Sequence, residues 1–259
     1  MAIVRLRPEE LKRALDEGAL SLQFQPQVHV PTGKLVGVEA FARWPHPAHG
    51  MIGPSDIVPL LDQGSLHVEF DRWVLRALCA QVLAWRKEGL EVPLVAANLW
   101  THTLQQPHVV EMVRDAIASS GIAPGDLEIE CPRGSVRDPL LAEPVQKIRA
   151  LGVRIASEEF GDPAIADAAS GFDTLKIGYP IARDLPVLGT ESLEAVQAIV
   201  EAARVTGARV VADSVETKDQ EDLLVQFGCE IVQGRLYGPE VAPDELKTLL
   251  SGSVQTQQG

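Results

Sequence analysis

Gly37-Val38-Glu39-Ala40-Phe41-Ala42-Arg43-Trp44-Pro45-His46-Pro47 is the stretch around which this chain is organised. Apolar Leu35 and Val36 lead into it, and its first half reads as a strand. Glu39 and Arg43 lie four residues apart, so strand alternation points both side chains to one face. That face then carries an acceptor-only carboxylate beside a rigid fork of donors. The pair suits a phosphate ester, with the carboxylate on a metal ion and the guanidinium on a phosphate oxygen. The same spacing also fits a plain ion pair at the mouth of a barrel strand.

Upstream of this stretch, residues 8–17 read as an amphipathic helix and 20–30 as a strand ending before Pro31. Thr32-Gly33-Lys34 is a tight turn, so the strands 20–30 and 35–42 form an antiparallel hairpin. Downstream comes a Pro-rich loop, a helical region opening at Ser55-Asp56, and a strong helix over 71–87 that Gly89 stops. A regular alternation follows. Strands are expected at 93–99, 126–131, 153–160, 174–178, 209–215 and 231–236. Helices are expected at 109–119, 140–150, 192–206, 219–227 and 244–250.

Eight strands, with βα alternation from the third onward, predict an α/β fold of the TIM type, a (β/α)8 barrel. An open doubly wound sheet is the structural alternative, but no Gly-rich phosphate loop follows the first strand. Residues 1–250 are expected to form a single barrel domain, and the Gln/Ser/Gly-rich residues 251–259 a disordered tail.

Composition narrows the function. The chain has 259 residues, enough for one large core, and a formal net charge of -13. Without a Lys/Arg cluster, long nucleic acid is excluded as a partner, whereas a small phosphate ligand is not. No run of eighteen apolar residues suggests a membrane span. Cys79, Cys131 and Cys229 are far apart and odd in number, which fits reduced thiols and a cytoplasmic location.

In a barrel of this kind, chemistry gathers at the C-terminal ends of the strands. Those ends carry Asn98, Glu130, Glu158-Glu159, Lys176, Asp213 with Glu216, and Gln233. Oxygen ligands converging from several strands are what Mg²⁺ or Mn²⁺ requires. For each residue taken singly, a capping or rim role is the simpler reading.

Glu39-Ala40-Phe41-Ala42-Arg43-Trp44, preceded by Gln25-Pro26, resembles the signature of EAL domains, the bacterial cyclic-di-GMP phosphodiesterases. The resemblance runs from about Leu11 to Leu250 and rests on blocks in the family's order. It implies a modified barrel in which one early strand runs antiparallel. It implies Mg²⁺ or Mn²⁺ on Glu39, Asn98, Glu130, Glu158 and Glu159. It implies catalytic roles for Lys176, Asp213 and Glu216, and ligand contacts from Gln25, Phe41, Arg43, Gln233 and Pro239.

The sequence also departs from the family pattern. Phe41 stands for leucine, Arg133 for a glutamate, Glu158-Glu159 for Asp-Asp, Gly178 for aspartate and Asp213 for glutamate. The loop after Gly161 has different chemistry and is shorter. A one-methylene change moves a carboxylate by over 1 Å, and misplacements of about that size cost on the order of 10²-fold in rate. The resemblance with its departures predicts a cyclic-di-GMP signalling domain that binds the nucleotide or a partner protein with little hydrolysis, and needs no metal for that. An active metal-dependent phosphodiesterase producing pGpG is the enzyme alternative. A nucleotide-independent interaction scaffold, with a homodimer among its options, is the other.

Overall fold

The computed structural model describes residues 6–132, 138–159, 171–185 and 190–250. Arg133, the loop after Gly161 and the tail 251–259 lie outside the described residues, as do the side chains of Glu158 and Glu159.

The strands join one sheet in the order β1-β9-β8-β7-β6-β5-β4-β2-β3, and a further β1–β2 pairing closes it. Eight strands therefore form the ring: β1 (Ser21–His29), β2 (Lys34–His46), β4 (Leu94–Asn98), β5 (Leu127–Cys131), β6 (Arg154–Glu159), β7 (Thr174–Ile177), β8 (Arg209–Ala212) and β9 (Ile231–Gln233). β1 is antiparallel to both of its neighbours, and the other ring pairings are parallel. This is the modified barrel with one antiparallel early strand.

β3 (Gly50–Ile52) was not foreseen. It sits in the Pro-rich loop and pairs with the far end of β2, Trp44 against Ile52 and His46 against Gly50. β2 therefore runs past the barrel rim and ends at His46, not at Ala42. Three other boundaries move for local reasons. β9 stops at Gln233 because Gly234 takes φ 149, outside extended backbone. β8 stops at Ala212, and Ser214 turns the chain with φ 59. The helix expected to start at Asp71 starts a turn earlier, as α3 (His67–Lys87).

The helices around the ring follow the apolar periodicity. In α3 the buried positions Phe70, Val74, Leu78, Val82 and Trp85 recur every four residues or so and face the strands. Trp85 meets the edge of Phe24 with ring centres 4.8 Å apart, and its indole N–H donates to the Pro243 carbonyl at 3.3 Å. α1 (Pro8–Asp16) and α2 (Pro54–Gly64) precede α3, and the one-turn α4 (Thr101–Leu104) follows β4. α5 (Val109–Ser120), α6 (Pro139–Arg149), α7 (Tyr179–Asp184), α8 (Thr190–Thr206), α9 (Lys218–Gln226) and α10 (Pro243–Leu250) complete the described helices. No described helix is long and apolar enough to cross a membrane.

Candidate functional site

Register and alternation build the site. Asn98 on β4 lies opposite Glu130 on β5, and Glu158 on β6 lies opposite Lys176 on β7. Residues two apart on a strand share a face. Hence Glu128 and Glu130 both point inward, as do Thr174 and Lys176, and the interior has two polar tiers. In the deeper one, the Thr174 hydroxyl donates to Glu128 Oε2 at 2.6 Å. In the upper one, Lys176 Nζ donates to Glu130 Oε2 at 2.8 Å and to Glu39 Oε2 at 2.7 Å. All three upper side chains are buried, at 6% exposure or less.

The upper tier continues toward β1 and β9. Gln233 Nε2 donates to Glu39 Oε2 at 2.7 Å and to Gln25 Oε1 at 2.9 Å. Gln25 Nε2 in turn reaches the Gly238 carbonyl at 3.4 Å. On the other side, Asn98 Nδ2 donates to Glu39 Oε1 at 2.6 Å. Glu39 thus accepts from three side chains carried by three different strands.

These contacts set the proton affinities. Burial disfavours the Glu39 charge, but Lys176, Gln233 and Asn98 overcome it and hold the carboxyl below its ordinary range. Burial and the charge of Glu39 push Glu130 well above that range, against the pull of Lys176. Burial also opposes the Lys176 ammonium, yet Glu130 and Glu39 together raise its pKa well above the usual lysine value. One ammonium between two carboxylates therefore stabilises one of them as the anion and leaves the other proton-seeking. Asp213, at the rim, is raised mainly by burial, with the charges of Glu39 and Glu240 adding to it. Its Oδ1 accepts the Ser214 amide at 2.6 Å, at the turn where Ser214 adopts its positive φ.

A cavity of about 350 Å³ opens beside this tier. Glu39, Asn98, Glu130, Lys176 and Asp213 form its polar end, and Phe41, Ile57, Leu61, Phe70, Val74 and Trp100 its apolar wall. A polar corner with an apolar side suits a nucleobase joined to a phosphate.

The oxygen donors fit Mg²⁺ or Mn²⁺: Glu39 and Glu130 offer carboxylates, Asn98 offers an amide, and Glu130 Oε1 is buried with no hydrogen-bond partner. The described residues contain no cluster of three or more His, Cys, Asp or Glu arranged for a metal ion. Glu158 and Glu159, also named as ligands, have side chains outside the described residues.

Other sequence-named residues scatter. Arg43 is buried near the rim, where Nη2 lies 3.3 Å from Glu240 Oε1 and the guanidinium sits 5.8 Å from the Phe41 ring centre. Pro239 is exposed beside that glutamate. Glu216 does not join the tier, because the turn at Ser214 carries it to an exposed loop where it meets Arg235 Nη1 at 3.4 Å. Glu240 itself was not singled out from the sequence. Nor was Asp71, a buried acid on the apolar stripe of α3 whose Oδ2 accepts the Trp100 amide at 2.9 Å. The signal for Asp71 was legible: a carboxylate occupies the position next to Phe70 and one turn before Val74 and Leu75. Burial raises its pKa to about 7.

Known proteins share both the sequence and the barrel. MucR of Pseudomonas aeruginosa, a bifunctional diguanylate cyclase/cyclic di-GMP phosphodiesterase, is 31% identical over 242 residues, which is 92% of this chain and 35% of that protein. NbdA of the same species, a cyclic di-GMP phosphodiesterase, is 32% identical over 238 residues, covering 88% of this chain and 30% of its own length. The chain thus spans about a third of the length of these relatives. The solved structure "PaMucR Phosphodiesterase, c-di-GMP complex" superposes with a TM-score of 0.84 at 29% identity, over 92% of this chain and 98% of that one. The Xanthomonas citri FimX EAL domain, solved with c-diGMP, gives a TM-score of 0.81 at 20% identity over 90% of this chain and 92% of that one, a likeness of fold. The EAL domain family matches residues 8–240, most of the chain and every strand of the closed ring. With its antiparallel β1 and the acid-lined mouth of its barrel, the chain belongs to the EAL domain family.

Proposed function

We propose that this chain binds cyclic di-GMP at the barrel mouth and hydrolyses it weakly or not at all. The observation that carries the reading is the double contact of Lys176 with Glu39 and Glu130. Lys176 meets the charge of one inward carboxylate while burial and Glu39 push Glu130 toward its neutral form, so much of the negative charge is offset before any metal ion arrives. A phosphodiester then meets Arg43 and Lys176 as its cationic partners and Gln25 as a neutral donor, beside Gln233, whose own amide hydrogens go to Glu39 and Gln25. The apolar wall from Phe41 to Trp100 offers a surface for a guanine ring.

Glu39, Asn98 and Glu130 would hold Mg²⁺ or Mn²⁺, with Glu158 and Glu159 as the further ligands named from the sequence. When bound, such an ion supplies Lewis-acid charge and a water of lowered pKa. The chain's own groups are poorly matched to the rest of that reaction. Asp213 is one methylene shorter than the glutamate of the family signature, which draws its carboxylate back from the place where that signature puts a base. Arg133, Glu158 and Glu159 depart from the residue types of the family signature. The three cysteines are free and buried, in keeping with the cytoplasmic setting we assign.

A second reading, an active phosphodiesterase, draws on the likeness to the MucR phosphodiesterase structure and on the unpartnered Glu130 Oε1. Product analysis separates the two. Purified protein incubated with cyclic di-GMP and Mn²⁺ is expected to release little pGpG by liquid chromatography. Rapid turnover that disappears in Glu39→Ala would replace the receptor reading with the enzyme.

A further inference from the structure

Arg43, the cation assigned above to phosphate, already has a partner. Its Nη2 lies 3.3 Å from Glu240 Oε1, with the arginine side chain 10% exposed and the glutamate 35%. The rest of the guanidinium is fixed: Nη1 donates to the Ala42 carbonyl at 3.0 Å, and the group sits 5.8 Å from the Phe41 ring centre.

Backbone pairing delivers Glu240 to this place. Phe24 and Val241 exchange N–H···O bonds of 2.8 and 2.9 Å, so the segment after Gly238 lies along β1. Within the β1–β2 hairpin, Arg43 stands opposite Ser21, three positions from Phe24. Glu240 is therefore seated on Arg43, which follows the cavity-lining Glu39 and Phe41 on the same face of β2.

To a guanidinium, a carboxylate and a phosphodiester offer the same thing: two oxygens that share one negative charge. We propose that Glu240 is an internal competitor for the phosphate position on Arg43, and that residue 240 sets which phosphate ligands the mouth accepts. The proposal rests on the cyclic di-GMP reading above. A ligand phosphate must move the partly exposed glutamate aside while Arg43 stays where Ala42 and Phe41 hold it. The glutamate also repels the incoming anion, and this repulsion grows with ligand charge. A terminal phosphate, carrying about 1.5 to 2 charges at pH 7, is penalised more than an internal diester carrying one. Glu240 thereby favours the cyclic dinucleotide over its linear product pGpG.

The test is calorimetric titration of the full chain with cyclic di-GMP and with pGpG, in wild type, Glu240→Gln, Glu240→Ala, Arg43→Ala and the Arg43→Ala/Glu240→Gln double variant. Thermal melts confirm that each variant is folded. Removing the charge at residue 240 is expected to tighten cyclic di-GMP about fivefold, and pGpG by more, the size measured for solvent-exposed charged pairs. In the Arg43→Ala background the same change should have a smaller effect, because the competition for Arg43 is gone and only the direct repulsion remains. If wild type binds and both Glu240 variants bind with unchanged affinity, the competitor role is overturned and the receptor reading stands. Binding that appears only in the Glu240 variants supports both. If no folded variant binds, the receptor reading fails and takes this inference with it.

Discussion

Lys176 Nζ donates to Glu39 Oε2 at 2.7 Å, although 137 residues separate the two in sequence. The lysine comes from β7 and the glutamate from β2, which do not pair with each other. Closure of the ring brings them together, and their ends point the same way because those strands run parallel around the barrel. The contact depends on the whole fold, and the fold in turn depends on it for charge balance.

Removing Lys176 should therefore be costly. Glu39 and Glu130 are buried at 4% and 6% side-chain exposure, so Lys176→Met leaves two carboxyls facing each other without a cation. Breaking a buried pair in this manner costs about 3–5 kcal/mol. Urea denaturation at pH 7.5 is expected to show a loss of that size, and adding Glu39→Gln should recover part of it. A loss under about 1 kcal/mol would mean that the carboxylates are solvated and the tier is not closed.

Asp71 gives a pH signature of its own. Its carboxyl rises from an ordinary 3.8 to about 7 because it is buried on α3. A raised folded pKa means that its contribution to stability is full below about 4 and lost as the pH climbs through about 7. Asp71→Asn keeps an acceptor for the Trp100 amide and removes the titration. The variant should match wild type near pH 4 and gain up to about 4 kcal/mol at pH 8.5, at about 1.4 kcal/mol per decade of proton affinity. Glu39 works in the opposite sense. Its pKa is held below the usual carboxyl value, so its contribution is present above that value and lost on acidification. Parallel stability–pH curves for Asp71→Asn and wild type between pH 4 and 8.5 would contradict the burial argument.

Gly234 links the last strand to the mouth. It takes φ 149, and a Cβ there would overlap the Val215 backbone. The neighbouring contacts are tight too: the Val215 amide donates to the Gln233 carbonyl at 2.9 Å, and Leu236 donates to Val215 at 3.1 Å. Gly234→Ala is expected to destabilise the chain by roughly 2 kcal/mol or more and to displace Gln233 from Glu39. Thermal unfolding with nucleotide titration of the surviving fold checks both effects. A melting temperature within a degree of wild type would show that the turn relaxes freely.

Much of this architecture was legible because strand periodicity and strand ends are local signals. β4, β5 and β7 each end on or near a polar residue, and parallel closure alone places Asn98, Glu130 and Lys176 at one mouth. What escaped reading was short or non-local. β3 is three residues long within a Pro-rich loop, too brief for an alternation to show. α4 and α7 span only four and six residues, and neither carries an apolar repeat. Glu216 follows β8 closely enough to look like a strand-end acid, but the positive φ of Ser214 turns it toward Arg235. Glu240 meets Arg43 only because Val241 pairs with Phe24, a contact between opposite ends of the chain.

The central claim is that the charge balance built on Lys176 lets the mouth hold a phosphodiester without a metal ion. Calorimetric titration of wild-type protein with cyclic di-GMP, once in EDTA and once in Mg²⁺, tests it most directly. Affinities within about threefold of each other are predicted, and Arg43→Ala should weaken both by roughly tenfold, the effect of losing one charge-assisted contact. Glu130→Ala should leave binding in EDTA undiminished. Binding that requires Mg²⁺ and vanishes in EDTA, or no heat at high micromolar nucleotide with folded protein, would contradict the account.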